Sequence, residues 1–125
     1  MEEIIATIIL NNGGEKQEYK EKKVLYYTRG NVNFYQFIID AAKFTIAVFQ
    51  DKVYIYSDNS LKYRLKLKRN EQIQNVIQTA YGKFFTDAEL IKLEYQHAKK
   101  CNLNLEYILN FSGYQQYLYL HLKEE

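Results

Sequence analysis

With 125 residues, 47% of them hydrophobic and 26% charged, the chain is expected to form one globular domain that buries roughly two thirds of its unfolded surface. A single cysteine excludes an internal disulfide, and the longest apolar run, Ile4 to Leu10, is too short to cross a bilayer as a helix. The net charge of +2 falls well below the strongly basic balance of a dedicated nucleic-acid binder.

Met1-Glu2-Glu3 opens with acids where a secretory signal carries bases, and no apolar h-region follows, so the expected compartment is the cytoplasm. In that reducing setting Cys101 is a spare thiol. Abundant Lys, Asn, Ile, Tyr and Phe point to an AT-rich coding sequence, so the 13 tyrosines cannot be read directly as functional.

There is no proline, and the turns must come from Gly, Asn and Asp. Ile4 to Leu10 is the first strand-like run, and Asn11-Asn12-Gly13-Gly14 is the strongest hairpin signature, because Asn and Gly tolerate positive φ. Glu15 to Lys23 mixes charges of both signs, which suits an exposed strand or a projecting hairpin. Beyond a turn at Arg29-Gly30-Asn31 come runs at Val32 to Ile39, Lys43 to Phe49 and Lys52 to Ser57, with turns at Gln50-Asp51 and Asp58-Asn59.

Leu61 to Lys68 carries the clearest pattern. Leu61, Tyr63, Leu65 and Leu67 alternate with Lys62, Arg64, Lys66 and Lys68, so a pleated strand would send the first set into a core and the second into water. Asn75 to Thr79 follows, then a turn at Tyr81-Gly82. Near the end, Leu103, Leu105, Tyr107, Leu109 and Phe111 share one face of a strand. After a turn at Ser112-Gly113, Leu118, Leu120 and Leu122 share one face of the next. Eight to ten strands in so short a chain imply a sandwich or barrel.

One segment carries two periodicities. Thr86-Asp87-Ala88-Glu89 has the form of a helix capping box, Leu90, Leu93 and His97 fall at helical spacing, and Lys99-Lys100 would suit a helix C-terminus. Ile91, Leu93 and Tyr95 also alternate with Lys92, Glu94 and Gln96 as a strand would. Periodicity leaves Lys83 to Lys100 open between helix and strand.

Lys43-Phe44-Thr45-Ile46, a strand pair, Thr79-Ala80-Tyr81-Gly82 and Leu103-Asn104-Leu105-Glu106-Tyr107-Ile108-Leu109, in that order and spacing, resemble the YwiB-like proteins, small bacterial proteins of unknown function. Ala80 stands where that family usually has proline in its turn. The resemblance implies an all-β fold, an antiparallel calycin-like (lipocalin-like) barrel of about eight strands, and a strand over Lys83 to His97. It brings no catalytic residues with it.

The residue inventory points away from catalysis. His97 and His121 are the only histidines and show no metal-ligand spacing, and the serines Ser57, Ser60 and Ser112 lie at turns outside any nucleophile-elbow pattern. The five glycines form no phosphate-cradling loop. No catalytic, cofactor or metal residues are therefore assigned. Lys62, Arg64, Lys66, Lys68 and Arg69 form a basic strip that would suit RNA or an acidic protein, with Tyr54, Tyr56 and Tyr63 near enough in sequence to stack on bases. The bland alternative is a solvated strand face whose lysines deter edge pairing. The leading expectation is a non-enzymatic barrel that holds a small apolar ligand or serves as a rigid platform, and the rival is an RNA or acidic-protein binder using Lys62 to Arg69. No membrane partner is expected.

Overall fold

The computed structural model describes residues 1–12, 15–58, 62–79, 81–97, 99–111 and 113–125, with the side chains of Asn12, Asp58, Lys62, Tyr63 and Thr79 left aside. Ten strands account for nearly all of it: β1 (Glu2–Asn12), β2 (Lys16–Arg29), β3 (Val32–Ile39), β4 (Ala42–Val48), β5 (Lys52–Asp58), β6 (Lys62–Lys68), β7 (Gln72–Thr79), β8 (Gly82–Gln96), β9 (Asn102–Phe111) and β10 (Tyr114–Glu124). Each pairs antiparallel with its successor, and β1 pairs with β10 to close the barrel. Closure gives every strand two neighbours, which limits the pairing hazard of an open sheet.

The count is ten where the resemblance implied about eight. A wider barrel has more interior to fill. Tyr35 and Phe37 help to fill it, joined by Ile8, Ile46, Val53, Leu65, Leu67, Leu103, Leu105 and Leu122. The inward sets of β9 and β10 are those the alternation indicates, with Leu103, Leu105, Tyr107, Leu109, Leu118, Leu120 and Leu122 buried. On β6, Leu65 and Leu67 are buried while Arg64 and Lys66 are exposed. Burial of each such Leu is worth about 1.5–3 kcal/mol.

Lys83 to Gln96 is strand, not helix, and His97 follows the strand end. The register of β8 on β9 shifts between Leu90 and Lys92, so β8 carries one extra residue there. That bulge turns Leu90 and Leu93 to the same inward face, both buried, and leaves Ile91 exposed. A three-residue step between two buried leucines is the helical spacing in the sequence, and a bulge produces it in a strand. A second irregularity lies between β1 and β2, where β2 gains a residue opposite the Ala6 to Ile8 step and Glu21 takes φ 56°.

The turn at Gly30 has φ 60°, and Gly82 and Gly113 also adopt positive φ. Gly13, Gly14, Asn59, Leu61, Ala80 and Ser112, on which other expected turns and the first leucine of the Leu61 to Lys68 pattern fall, lie outside the described residues. Between β3 and β4 the turn is made by Asp40 (φ 51°) and Ala41 (φ 66°), a tight hairpin built without glycine.

The β6–β7 ladder is short, with register pairs only at Lys62↔Gln78 and Tyr63↔Ile77. Beyond it the buried side chain of Asn75 fills in for backbone. Its Oδ1 accepts from the Lys66 N–H at 2.7 Å, and its Nδ2 donates to the carbonyls of Lys66 and Ile73 at 3.0 Å. β6 is thereby held in the wall with Lys66 facing out.

Candidate nucleic-acid interface

Antiparallel register places residues of successive strands side by side, and on the outside of β2 to β6 it assembles one continuous row: Tyr27↔Phe34↔Ala47↔Tyr54↔Lys66. The next row is Leu25↔Gln36↔Thr45↔Tyr56↔Arg64. Four strand-to-strand steps of about 4.8 Å make each row about 19 Å long. Tyr27 and Phe34 are stacked with centroids 4.9 Å apart and planes 9° from parallel, and Gln36 donates to the Tyr27 hydroxyl at 3.0 Å.

Cations lie over these rings. Lys66 Nζ is 5.8 Å from the Tyr54 centroid and Lys52 Nζ 5.4 Å from it, while Lys52 also covers Phe49 at 4.7 Å. Arg64 lies over Tyr56 at 5.8 Å, and Arg29 over Tyr27 at 5.7 Å. Exposed contacts of this kind are worth about 0.5–1 kcal/mol each, enough to orient the side chains without fixing them. Arg29, Lys43, Arg64 and Lys66 are exposed, and the four named tyrosine and phenylalanine rings of the two rows are half-buried.

The expected basic strip divides on inspection. Arg64 and Lys66 face solvent from the middle of β6, and Lys62 lies on the same strand with its side chain outside the described set. Lys68 pairs with Glu71 at 3.3 Å. Arg69 leaves the face: its guanidinium donates to the carbonyl of Leu93 on β8, and its N–H donates to the carbonyl of Asp51 at 3.1 Å. Arg29, Lys43 and Lys52, with Tyr27 and Phe34, complete the face. They come from strands remote in sequence, and only cross-strand register brings them to β6.

The barrel interior bears on an enclosed apolar ligand. Ile8, Tyr35, Ile46, Val53, Leu67, Leu103, Leu105 and Leu122 have essentially no accessible surface. A chamber wide enough for a ligand would leave surface on the side chains that line it, so at this level of the barrel there is no such space.

At the β8–β9 end the chain gathers its reactive side chains. The Tyr35 hydroxyl lies 3.1 Å from Nδ1 and 3.0 Å from Nε2 of His97, whose Nδ1 is 3.6 Å from Cys101 Sγ. Tyr26 stacks on the imidazole at 4.6 Å, and Tyr95 leans on it at 5.5 Å. Burial lowers the His97 pKa and raises those of Tyr35 and Cys101, so all three are held neutral at pH 7. A neutral thiol beside a neutral imidazole is a poor nucleophile. Among the described residues no cluster of three His, Cys, Asp or Glu could hold a metal ion, and no helix is long and apolar enough to cross a membrane.

No family model matches the chain, and no curated protein matches it. Among solved structures, the crystal structure of the YwiB protein from Bacillus subtilis aligns with a TM-score of 0.72 and 12% sequence identity, covering 98% of this chain and 90% of that chain. Likeness at that identity is likeness of fold, and the chain has a YwiB-like fold: an all-β antiparallel barrel.

Proposed function

We propose that this barrel is a non-enzymatic interaction module of the cytoplasm that binds single-stranded RNA on the outer face of β2 to β6. The observation that carries the reading is the alignment of Tyr27, Phe34, Tyr54 and Lys66 in one cross-strand row, with Tyr56 and Arg64 in the next. Aromatic faces beside mobile cations suit a strand whose unpaired bases stack while its phosphates are neutralised. An acidic protein would use the cations but would leave the rings without a comparable partner, so the rings favour RNA. The closely packed level of the interior supports the rigid-platform version of a binding barrel over one that encloses an apolar ligand.

The test separates stacking from charge. Tyr54→Ala with Tyr56→Ala should weaken binding of a short single-stranded RNA by about 1–3 kcal/mol per lost stack while leaving its salt dependence unchanged. Lys52→Gln, Arg64→Gln and Lys66→Gln together should weaken binding and flatten the salt dependence. These positions are exposed or half-buried, so the variants should keep the parent's melting transition. Equal RNA affinity for parent and both variants would refute the reading.

A further inference from the structure

On the wall diametrically opposite β5, the outer faces of β1, β10 and β9 form a depression of about 400 Å³ lined by Thr7, Ile9, Asn102, Asn104, His121 and Lys123. The six residues are two adjacent cross-strand rows, Thr7↔Lys123↔Asn102 and Ile9↔His121↔Asn104. Two strand spacings by one side-chain repeat give a floor of about 10 Å by 7 Å. That is the footprint of a single phosphorylated sugar.

The polar groups in the depression are unspent. Among the described residues, Thr7, Asn102, Asn104 and Lys123 make no side-chain hydrogen bond or ion pair, and His121 makes only a stacking contact with Tyr119, at 4.7 Å. Thr7, Asn102, Asn104 and His121 are nevertheless half-buried. Lys123 supplies positive charge. Glu94 and Glu106 each lie 3.7 Å from the ammonium of Lys92, which offsets part of their repulsion of an anion, and Glu18 of β2, in register with Ile9, borders the depression on its other side. Two amides and a hydroxyl can each donate and accept, which matches hydroxyl groups, and Ile9 offers an apolar patch for the C–H face of a sugar ring.

We propose that this depression binds a small phosphate monoester carrying neighbouring hydroxyl groups, with Lys123 and His121 at the phosphate and Thr7, Asn102 and Asn104 at the hydroxyls. The site is independent of the RNA face, because the two lie on opposite walls.

The test is a heteronuclear NMR titration of the full chain with ribose 5-phosphate, with ribose and inorganic phosphate as separate probes. Saturable shifts should centre on residues 7, 102, 104, 121 and 123, with the combined probe binding at least about tenfold more tightly than either half. Lys123→Gln, on an exposed position, should reduce that affinity about tenfold and leave RNA affinity unchanged. Absence of saturable shifts with ribose 5-phosphate would overturn the proposal. So would equal affinity for inorganic phosphate alone, or shifts that persist undiminished in Lys123→Gln.

Discussion

The side-chain amide of Asn75 bonds both the N–H and the carbonyl of Lys66, at 2.7 Å and 3.0 Å, where the β6–β7 backbone ladder has already ended. A buried amide here does what a paired strand does elsewhere: it satisfies one residue's two main-chain groups and fixes which way its side chain points. Lys66 is the end of the aromatic row on the outer face, so a residue inside the wall sets the position of one outside it. Asn75→Leu leaves both Lys66 groups unpaired and should cost about 2–3 kcal/mol. Urea unfolding measures this; a loss under 0.5 kcal/mol, inside the scatter of neutral substitutions, would mean the ladder does not depend on the amide.

The β3–β4 hairpin offers a change of opposite sign. Asp40 and Ala41 both hold positive φ, which costs an alanine about 1 kcal/mol or more. Ala41→Gly removes that strain and is partly offset by the greater freedom of glycine in the unfolded chain. The variant should be as stable as the parent or more stable, by up to about 1 kcal/mol, and a lower thermal midpoint would contradict the assigned turn.

His97 gives the fold a pH dependence of known sign. Burial against Tyr35, Tyr26 and Tyr95 lowers its folded pKa below the ordinary 6.5, so the unfolded chain takes up the proton first as pH falls. This contribution is therefore complete above pH 6.5, declines as pH drops below it, and levels off once the folded form also protonates. Urea midpoints at pH 7.5 and 5.5 should differ more for the parent than for His97→Gln. An identical difference in both proteins would assign the pH dependence to other groups.

Much of this architecture is written locally. Alternation at Leu61 to Lys68 and at Leu103 to Phe111 marks strands and their inward faces because a pleat has period two, and the buried leucines of β6, β9 and β10 follow it. Lys83 to Lys100 is ambiguous because one extra residue between Leu90 and Lys92 shifts the phase of β8 and imitates a helical step. Arg69 illustrates the limit on the site. It follows Lys68 in sequence and looks like part of the strip, but it sits past the strand end, where its guanidinium reaches back to Leu93. Arg29, Lys43, Lys52, Tyr27 and Phe34 join Arg64 and Lys66 only through register between strands, which no local pattern encodes. The half-sites were readable; their adjacency was not.

The most direct measurement is the salt dependence of affinity for a short single-stranded RNA, made on the parent protein and on the Lys52→Gln, Arg64→Gln, Lys66→Gln variant. If four to six cations of the β2 to β6 face each engage a phosphate, log affinity should fall with log salt at a slope of about −3 to −4, and the triple variant should flatten it by about 2. A slope near zero in the parent, or the same slope in both proteins, would contradict the account.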